Sequence, residues 1–181
     1  MLFKGLSDII HFKLYKEKQQ NDNCQMDNGR GYARRLIRTK VFIEEQGFSA
    51  QREFDDIDAI SLHAVIYKDG QPCATGRLYY QNGYRIGRIA VLKEHRGTGL
   101  GDLTVRMLLF KAFAQEAQEV TVSAQLQAQG FYEKFGFAST GELTEDENVP
   151  HIIMKVTPQT ARLSGQCEKC ANKTDCGFKN I

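Results

Sequence analysis

The chain lacks the features that mark membrane, nucleic-acid-binding and fibrous proteins. Its 24 Lys and Arg nearly balance 22 Asp and Glu, so a net charge of +2 gives no reason to expect nucleic acid or a membrane as a partner. No apolar run approaches the roughly 18 residues of a membrane span. Charges interrupt the apolar residues near the N-terminus, unlike in a secretory signal. With 181 residues and no internal repeat or low-complexity tract, we expect one cytoplasmic domain.

The five cysteines are too few and too unevenly placed for a disulfide framework. Three of them, Cys167, Cys170 and Cys176, crowd the last fifteen residues, and the Cys-x2-Cys spacing lets two thiolates meet one ion. This predicts a structural zinc site or, as an alternative, an iron–sulfur cluster. A fourth ligand would come from Cys24, Cys73, His11 or another chain. The alternative to a metal site is that Cys167, Cys170 and Cys176 remain free thiols.

The apolar pattern predicts alternating helices and strands. Residues 2–16 have helical spacing, residues 18–31 form a polar linker, and a second helix is expected over 32–46, ended by Gly47. Strands are expected at 62–67, 73–80, 84–92, 119–124, 135–143 and 151–156, and further helices at 100–117 and 126–135. This order predicts an α/β (α+β) fold, a mixed sheet with helices on its faces.

A glycine-rich loop, HRGTGLG (95–101), lies between a predicted strand and a predicted helix. Its glycines allow a ligand to approach the backbone, and the free N–H groups of the following helix favour an anion. The pattern therefore indicates a phosphate site, although a ligand-free turn has the same composition. A dinucleotide fold fits poorly because three hairpin-connected strands precede the loop. The Lys-Ser/Thr ending of a nucleotide P-loop is absent.

These segments resemble the GNAT superfamily of acyl-CoA-dependent N-acyltransferases. RGTGLG matches its Arg/Gln-x-x-Gly-x-Gly/Ala motif, IGRIAVL precedes it, and AQGFYEKFGF (128–137) resembles its second motif. RTKVFIEEQGFS and EFDDID are similar to the ElaA-like branch, with a fainter resemblance to acyl-homoserine-lactone synthases. The resemblance implies a mostly antiparallel central sheet with helices on both faces. Its domain spans 30–156, between an N-terminal helix and linker (1–29) and a Cys-rich tail (157–181).

The resemblance also implies acetyl-CoA as the acyl donor and assigns its contacts. The expected coenzyme-binding residues are Ile89, Ala90, Val91, Arg96, Gly97, Thr98, Gly99, Leu100, Gly101 and Tyr132. Taken by itself, Tyr132 fits an aromatic packing cluster better than a catalytic role, but the resemblance makes it the expected proton donor to the leaving sulfur.

The sequence defines the general base and the acceptor-binding residues less clearly than it defines the coenzyme site. Many family members have a glutamate on the strand before the loop, where this chain has Arg85 and Arg88. The candidate bases are Glu45, Glu53, Asp55, Asp58, His63 and His151, of which Glu45 and His63 are taken as catalytic candidates. EFDDID (53–58) is typical of a solvated loop, but it could also contact a cationic acceptor. Arg77, Arg88 and Asp58 are the candidate acceptor-binding residues.

The predicted activity is acetyl transfer to a primary amine of a small molecule or peptide. Two alternatives remain open, namely a non-catalytic acyl-CoA or metal sensor and an acyl-CoA-dependent signal synthase. Neither nucleic acid nor a membrane is expected as a partner, and a homodimer is an assembly compatible with the sequence.

Overall fold

A computed structural model describes residues 10–16 and 30–163. The strands are β1 (Ile10–Lys16), β2 (Leu62–Lys68), β3 (Gln71–Tyr80), β4 (Tyr84–Val91), β5 (Val120–Gln125), β6 (Ala138–Asp146) and β7 (Val149–Val156). The helices are α1 (Arg30–Arg38), a π-helical segment (Thr39–Glu45), α2 (Ala50–Glu53), α3 (Ile57–Ile60), α4 (Leu100–Phe113) and α5 (Gln129–Glu133), with 3₁₀ turns at Lys93–His95 and Leu126–Ala128.

The strands form one sheet in the order β1-β2-β3-β4-β5-β7-β6. Neighbouring strands are antiparallel except β4 and β5, which are parallel. Ala64 of β2 packs in the core cluster that contains α4, whereas the next residue, Val65, packs in the cluster that contains α1. Adjacent strand residues point to opposite faces. The predicted mixed, mostly antiparallel sheet with helices on both faces is therefore confirmed.

The helix predicted over residues 2–16 is wrong for residues 10–16, which form β1 and pair antiparallel with β2. Residues 2–9 lie outside the described part of the chain. Ile10, Phe12 and Leu14 alternate with His11 and Lys13, so the same apolar residues also fit the two-residue repeat of a β-strand. Pairing with β2 satisfies the backbone groups on one side of this edge strand.

The helix predicted over 32–46 is confirmed in position, but it begins at Arg30 and its second half is π-helical. Gly47 ends it with φ +79°, a left-handed conformation that glycine adopts at no steric cost. Among the described residues, no helix is both long and apolar enough to cross a bilayer.

Candidate active site

A β-bulge in β4 lies at the centre of the sheet. Thr75 of β3 pairs with Ala90 and Arg77 pairs with Gly87, so Gly76 alone opposes two residues of β4, Arg88 and Ile89. Arg88 adopts φ +53°, which is uncommon for a residue with a side chain. A bulge bends its strand and interrupts the ladder. Sequence reasoning missed it, because no local pattern requires a left-handed arginine here.

The bulge fits because Gly76 has no side chain. A Cβ at Gly76 would lie 2.5 Å from the Cδ1 atom of Ile89 and 2.9 Å from the Cγ2 atom of Thr104. Real Cβ atoms do not approach other atoms so closely, so a side chain at this position would force the Ile89 and Thr104 side chains to move. Gly76 thus allows β3 to pack closely against Ile89 of β4 and Thr104 of α4.

β4 and β5 separate where the bulge begins. Their parallel pairing runs from Tyr84 opposite Val120 to Ile86 opposite Val122 and stops there. Of the later residues of β4, Ala90 and Val91 pair with β3, Ile89 belongs to the bulge, and none of the three pairs with β5. The β5-facing edge of this segment can therefore accept an extended ligand as an added strand would be accepted. Ile89, Ala90 and Val91, three of the residues expected to bind the coenzyme, lie along this opening.

The glycine-rich loop lies at the start of α4, as the sequence predicted. Gly97 and Gly99 have φ +75° and +84°, and Gly99 immediately precedes the helix. The first N–H groups of a helix have no partner within the helix and carry its positive dipole end. A Cβ at Gly101 would lie 3.3 Å from Val91 Cγ2, so this glycine brings α4 close to β4. The loop has the geometry of a diphosphate site, which fits the coenzyme that the sequence implies.

Arg96 and Thr98 brace this loop. The Arg96 Nε donates to the Val91 carbonyl oxygen at 3.1 Å, and its two terminal nitrogens donate to the Glu45 carboxylate at 2.7 and 2.6 Å. The Thr98 hydroxyl donates to the His95 carbonyl oxygen at 2.6 Å. The hydrogen bonds from Arg96 lower the pKa of Glu45. Glu45 therefore stays ionised and both its oxygens are engaged, an arrangement that suits a loop anchor better than a proton acceptor.

Tyr132 of α5 is 7% exposed and packs edge-on against Phe131 and Phe137, with ring centroids 5.1 and 5.7 Å apart. It belongs to the core cluster that contains Val122 and Ala124 of β5. Burial raises the pKa of its phenol. The hydroxyl therefore keeps its proton at neutral pH, as a hydrogen-bond donor to a leaving thiolate requires. The aromatic cluster that the sequence suggested is present as well, so packing and catalysis are compatible roles.

A small polar cleft lies at the end of the opening. It has a volume of about 40 Å³ and is lined by Phe42, Phe48, Arg52, Glu53, Arg88, Gln125, Asp146 and His151. These residues come from the π-helical segment, the segment after it, the bulge and the ends of β5, β6 and β7. The cleft joins residues more than a hundred positions apart, which is why sequence reasoning could name some of them but could not group them.

The β6–β7 turn closes over the outer side of this cleft. Glu147 accepts hydrogen bonds from the Ser49 backbone N–H at 2.8 Å and from the Ser49 hydroxyl at 2.6 Å. Arg52 reaches Asp146 at 3.5 Å. A second, outer depression is lined by Gly47, Ser49, Arg52, Glu145, Glu147 and Asn148. Its rim carries more acidic than basic groups.

The EFDDID segment is folded into the protein rather than solvated. Asp58 is 6% exposed, and its carboxylate lies 2.5 Å from Arg34 Nη1, 2.8 Å from Arg38 Nη1 and 2.8 Å from Arg77 Nη1. These arginines hold the pKa of Asp58 well below its usual range, against the opposing effect of burial. Asp55 takes two hydrogen bonds from Arg77, at 2.5 and 2.8 Å. We name this group the arginine–carboxylate cluster; it consists of Arg34, Arg38, Glu53, Asp55, Asp58, Arg77 and Arg88.

Two members of the cluster reach the cleft. The Glu53 carboxylate bonds Arg38 through one oxygen and lies 2.9 Å from Arg88 Nε through the other. Burial raises the pKa of Glu53, since desolvation outweighs the attraction of its arginines. Arg88 also donates to the Arg52 carbonyl oxygen at 3.1 Å. Of the predicted acceptor-binding residues, Arg88 thus lines the cleft, whereas Arg77 and Asp58 bind each other behind it.

His63 lies in β2, separated from β4 by the whole of β3. It is fully buried, its Nε2 donates to the Asp58 carbonyl oxygen at 2.9 Å, and its ring packs on Tyr15. Burial, with a smaller effect from Arg34, lowers the pKa of His63 to about 4. The imidazole is therefore neutral at physiological pH. Its position is that of a core histidine supporting the cluster.

The metal prediction cannot be followed in the structure, because Cys167, Cys170 and Cys176 lie outside the described residues. Within the described ranges, no three His, Cys, Asp or Glu side chains form a group that could hold a metal ion. Cys73, considered as a fourth ligand, is a buried free thiol that donates to the Gln71 carbonyl oxygen at 3.1 Å.

The central sheet opens between β4 and β5 beside the bulge. The glycine-rich loop lies at one end of this opening and the polar cleft at the other. This arrangement is that of an acyltransferase. Residues 36–158 match the family model of the acetyltransferase (GNAT) domain. YjcF of Bacillus subtilis, an uncharacterized N-acetyltransferase, is 35% identical over 120 residues, which are 65% of this chain and 86% of YjcF. ElaA of Escherichia coli is 28% identical over 144 residues, 76% of this chain and 94% of ElaA.

Among solved structures, an acyl-CoA N-acyltransferase from Pseudomonas aeruginosa is similar with a TM-score of 0.66 and 27% identity, covering 82% of this chain and 99% of that one. The chain belongs to the GNAT family of acetyltransferases and is an acyl-CoA-dependent N-acyltransferase with ElaA among its relatives.

Proposed function

We propose that this protein transfers an acetyl group from acetyl-CoA to a primary amine of a small molecule or peptide. The observation that carries the proposal is the opening between β4 and β5, which joins the glycine loop to the polar cleft through the bulge at Arg88. Family membership supports acyl transfer in general, while the donor and the acceptor are inferred from this site.

For the donor, we assign the diphosphate of coenzyme A to the N–H groups of the loop from Gly97 to Gly101. The left-handed backbone of Gly97 and Gly99 leaves room for an anion at the start of α4. The pantetheine arm would lie along the free edge of β4, from Val91 to Ile89, with the thioester at the opening. Backbone donors make no demand on side chains, which agrees with the aliphatic residues there.

The chemistry divides between two faces of the sheet. The amine nitrogen attacks the thioester carbonyl carbon and forms the C–N bond. The C–S bond then breaks, and its electron pair goes to sulfur. Tyr132, in the core cluster on the α4 side, supplies a proton to that sulfur. Backbone N–H groups along the β4 edge stabilise the oxyanion that develops on the carbonyl oxygen.

For the acceptor, we assign the cleft around Arg88. Its volume of about 40 Å³ admits an amino group and little more, so the rest of the acceptor would extend into the outer depression. Glu145 and Glu147 line that depression and favour a cationic molecule over an anionic one. In this proposal Arg77 and Asp58 do not contact the acceptor. They would hold the rest of the arginine–carboxylate cluster in place and thereby orient Arg88 and Glu53.

The test is release of free CoA from acetyl-CoA, followed with a thiol reagent. The panel contains ethanolamine, benzylamine, tyramine, spermidine, amino-acid amides and a short peptide, each repeated with longer acyl-CoA donors. The proposal predicts amine-dependent release that is greatest with acetyl-CoA. Tight acetyl-CoA binding without release for any amine would favour the sensor alternative. A preference for long acyl chains would favour the signal synthase.

A further inference from the structure

His151 is one of the residues that line the cleft. It is 9% exposed and pairs in the sheet with Gln125, the last residue of β5. The next residue, Ile152, belongs to the core cluster that contains Tyr132. Since successive residues of a strand point to opposite faces, His151 and Tyr132 flank the sheet from opposite sides near the end of β5.

The hydrogen bond of His151 determines its tautomer. Its Nδ1 lies 2.8 Å from the Val149 carbonyl oxygen. A carbonyl oxygen can only accept, so in the neutral ring the proton is on Nδ1 and the Nε2 carries the lone pair. Within the described chain, no hydrogen-bond partner of this Nε2 is found. The ring therefore has a fixed orientation and one basic atom available in the cleft.

The other candidate bases are engaged. Both oxygens of Glu45 accept from Arg96, and the oxygens of Glu53 are divided between Arg38 and Arg88. Asp55 and Asp58 are bound by the arginines of the cluster, and His63 is buried two strands from the opening. His151 alone among these candidates combines a place in the cleft with an available basic atom.

We propose that the Nε2 of His151 accepts the proton that the attacking amine loses, directly or through one water, in the reaction proposed above. The N–H bond of the amine breaks as its nitrogen bonds to the carbonyl carbon. The proton passes to Nε2, and the leaving sulfur takes its own proton from Tyr132. The charged residues that line the cleft together with His151 are Arg52, Glu53, Arg88 and Asp146.

The first arm of the test needs no acceptor. Long-range ¹⁵N–¹H correlation spectra of the wild-type protein give the tautomer of each of its four histidines, and His151→Asn identifies the signals of His151. In its neutral form the ring is expected to be protonated on Nδ1. A neutral ring protonated on Nε2 would overturn the proposal.

The second arm is kinetic and uses the most active amine of the panel together with hydroxylamine. Hydroxylamine is much less basic than an alkylamine, so once its nitrogen has bonded to the carbonyl carbon it gives up its proton to water more readily and depends less on a protein base. His151→Asn keeps a donor for the Val149 carbonyl but has no basic atom. We expect kcat with the alkylamine to fall about 100- to 10,000-fold. The loss with hydroxylamine should be smaller, and the melting shift produced by acetyl-CoA should be unchanged. Lys155→Asn, at an exposed position of the same strand β7, is the control and should behave as wild type.

The outcomes separate this inference from the proposed function. If wild type releases CoA with an amine and His151→Asn does so equally fast, His151 is not the proton acceptor although the activity stands. If the variant loses the same factor with both nucleophiles, the role is structural. If wild type releases no CoA with any amine, the proposed function itself fails, and the spectra still report the tautomer.

Discussion

Replacing Asp58 with Asn should destabilise the fold strongly, because Asp58 is the carboxylate that three buried arginines share. The change keeps the shape of the side chain and removes one negative charge. Arg34, Arg38 and Arg77 would then remain buried with less compensation, and the exposed fractions of the Arg34, Arg38 and Arg77 side chains are only 2%, 1% and 4%. Removing one partner of a buried ion pair costs about 3–5 kcal/mol. Domains of this size melt roughly 2–4 °C lower per kcal/mol, so the expected drop in Tm is roughly 6–20 °C.

The effect should also depend on pH. The arginines depress the pKa of Asp58 in the folded state, so its contribution to stability is present above its unfolded pKa, about 3.9. That contribution is lost as pH falls through the folded value. The difference between wild type and Asp58→Asn should therefore be constant above about pH 5 and shrink on acidification below about pH 4, because a protonated aspartic acid resembles asparagine.

Urea unfolding followed by far-UV circular dichroism measures this difference, since the chain has no tryptophan to report by fluorescence. Asp56→Asn is the matched control, because Asp56 is exposed in the same segment and makes no side-chain capping bond. It should change the free energy of unfolding by less than about 0.5 kcal/mol. Equal effects of the two substitutions, or a loss at Asp58 that is independent of pH, would refute the reasoning.

Three further substitutions test separate parts of the account. Tyr132→Phe should lower kcat roughly ten- to a thousandfold with little change in acetyl-CoA affinity, and wild-type turnover would leave Tyr132 a packing residue. Glu45→Gln should keep kcat, because both Glu45 oxygens are held by Arg96, and should weaken acetyl-CoA binding, because the loop loses its anchor; a collapse of kcat not seen in Glu44→Gln would instead make Glu45 the base. Protein purified without chelators should carry about one zinc per chain and lose it on Cys170→Ser, whereas metal-free, active protein would mean that the tail holds only thiols.

Local sequence patterns predicted the parts of the fold that depend on near neighbours. The strands expected at 73–80 and 84–92 are present as β3 and β4, with a turn between them in which Asn82 and Gly83 have φ +52° and +132°. The glycines of the loop lie at the start of α4, between the strand and the helix where they were expected. Such signals work because turn geometry and periodic burial are decided within a few residues.

The rest of the site depends on distant residues and could not be predicted in this way. EFDDID has the composition of a solvated loop, and only the inward-facing Arg34 and Arg38 of α1 and Arg77 of β3 make it a buried cluster. The sequence did contain one clue to this cluster. Arg34 and Arg38 are four positions apart and therefore lie on the same side of α1. The bulge at Arg88 and the placing of His151 beside it arise from sheet pairing across the whole chain.

Binding of acetyl-CoA at the glycine loop is the claim on which the account depends, and thermal unfolding with and without the ligand tests it most directly. At 100 times its Kd, acetyl-CoA should stabilise the wild type by about 2.7 kcal/mol, roughly 5–11 °C in Tm. Gly99→Asp should abolish this shift, because it places a side chain and a negative charge at the start of α4. Gly141→Asp introduces the same residue at nearly the same backbone angle, φ +81° against +84°, in the exposed strand β6, and it should keep the shift. An absent shift in wild type, or an equal shift in Gly99→Asp, would contradict the account.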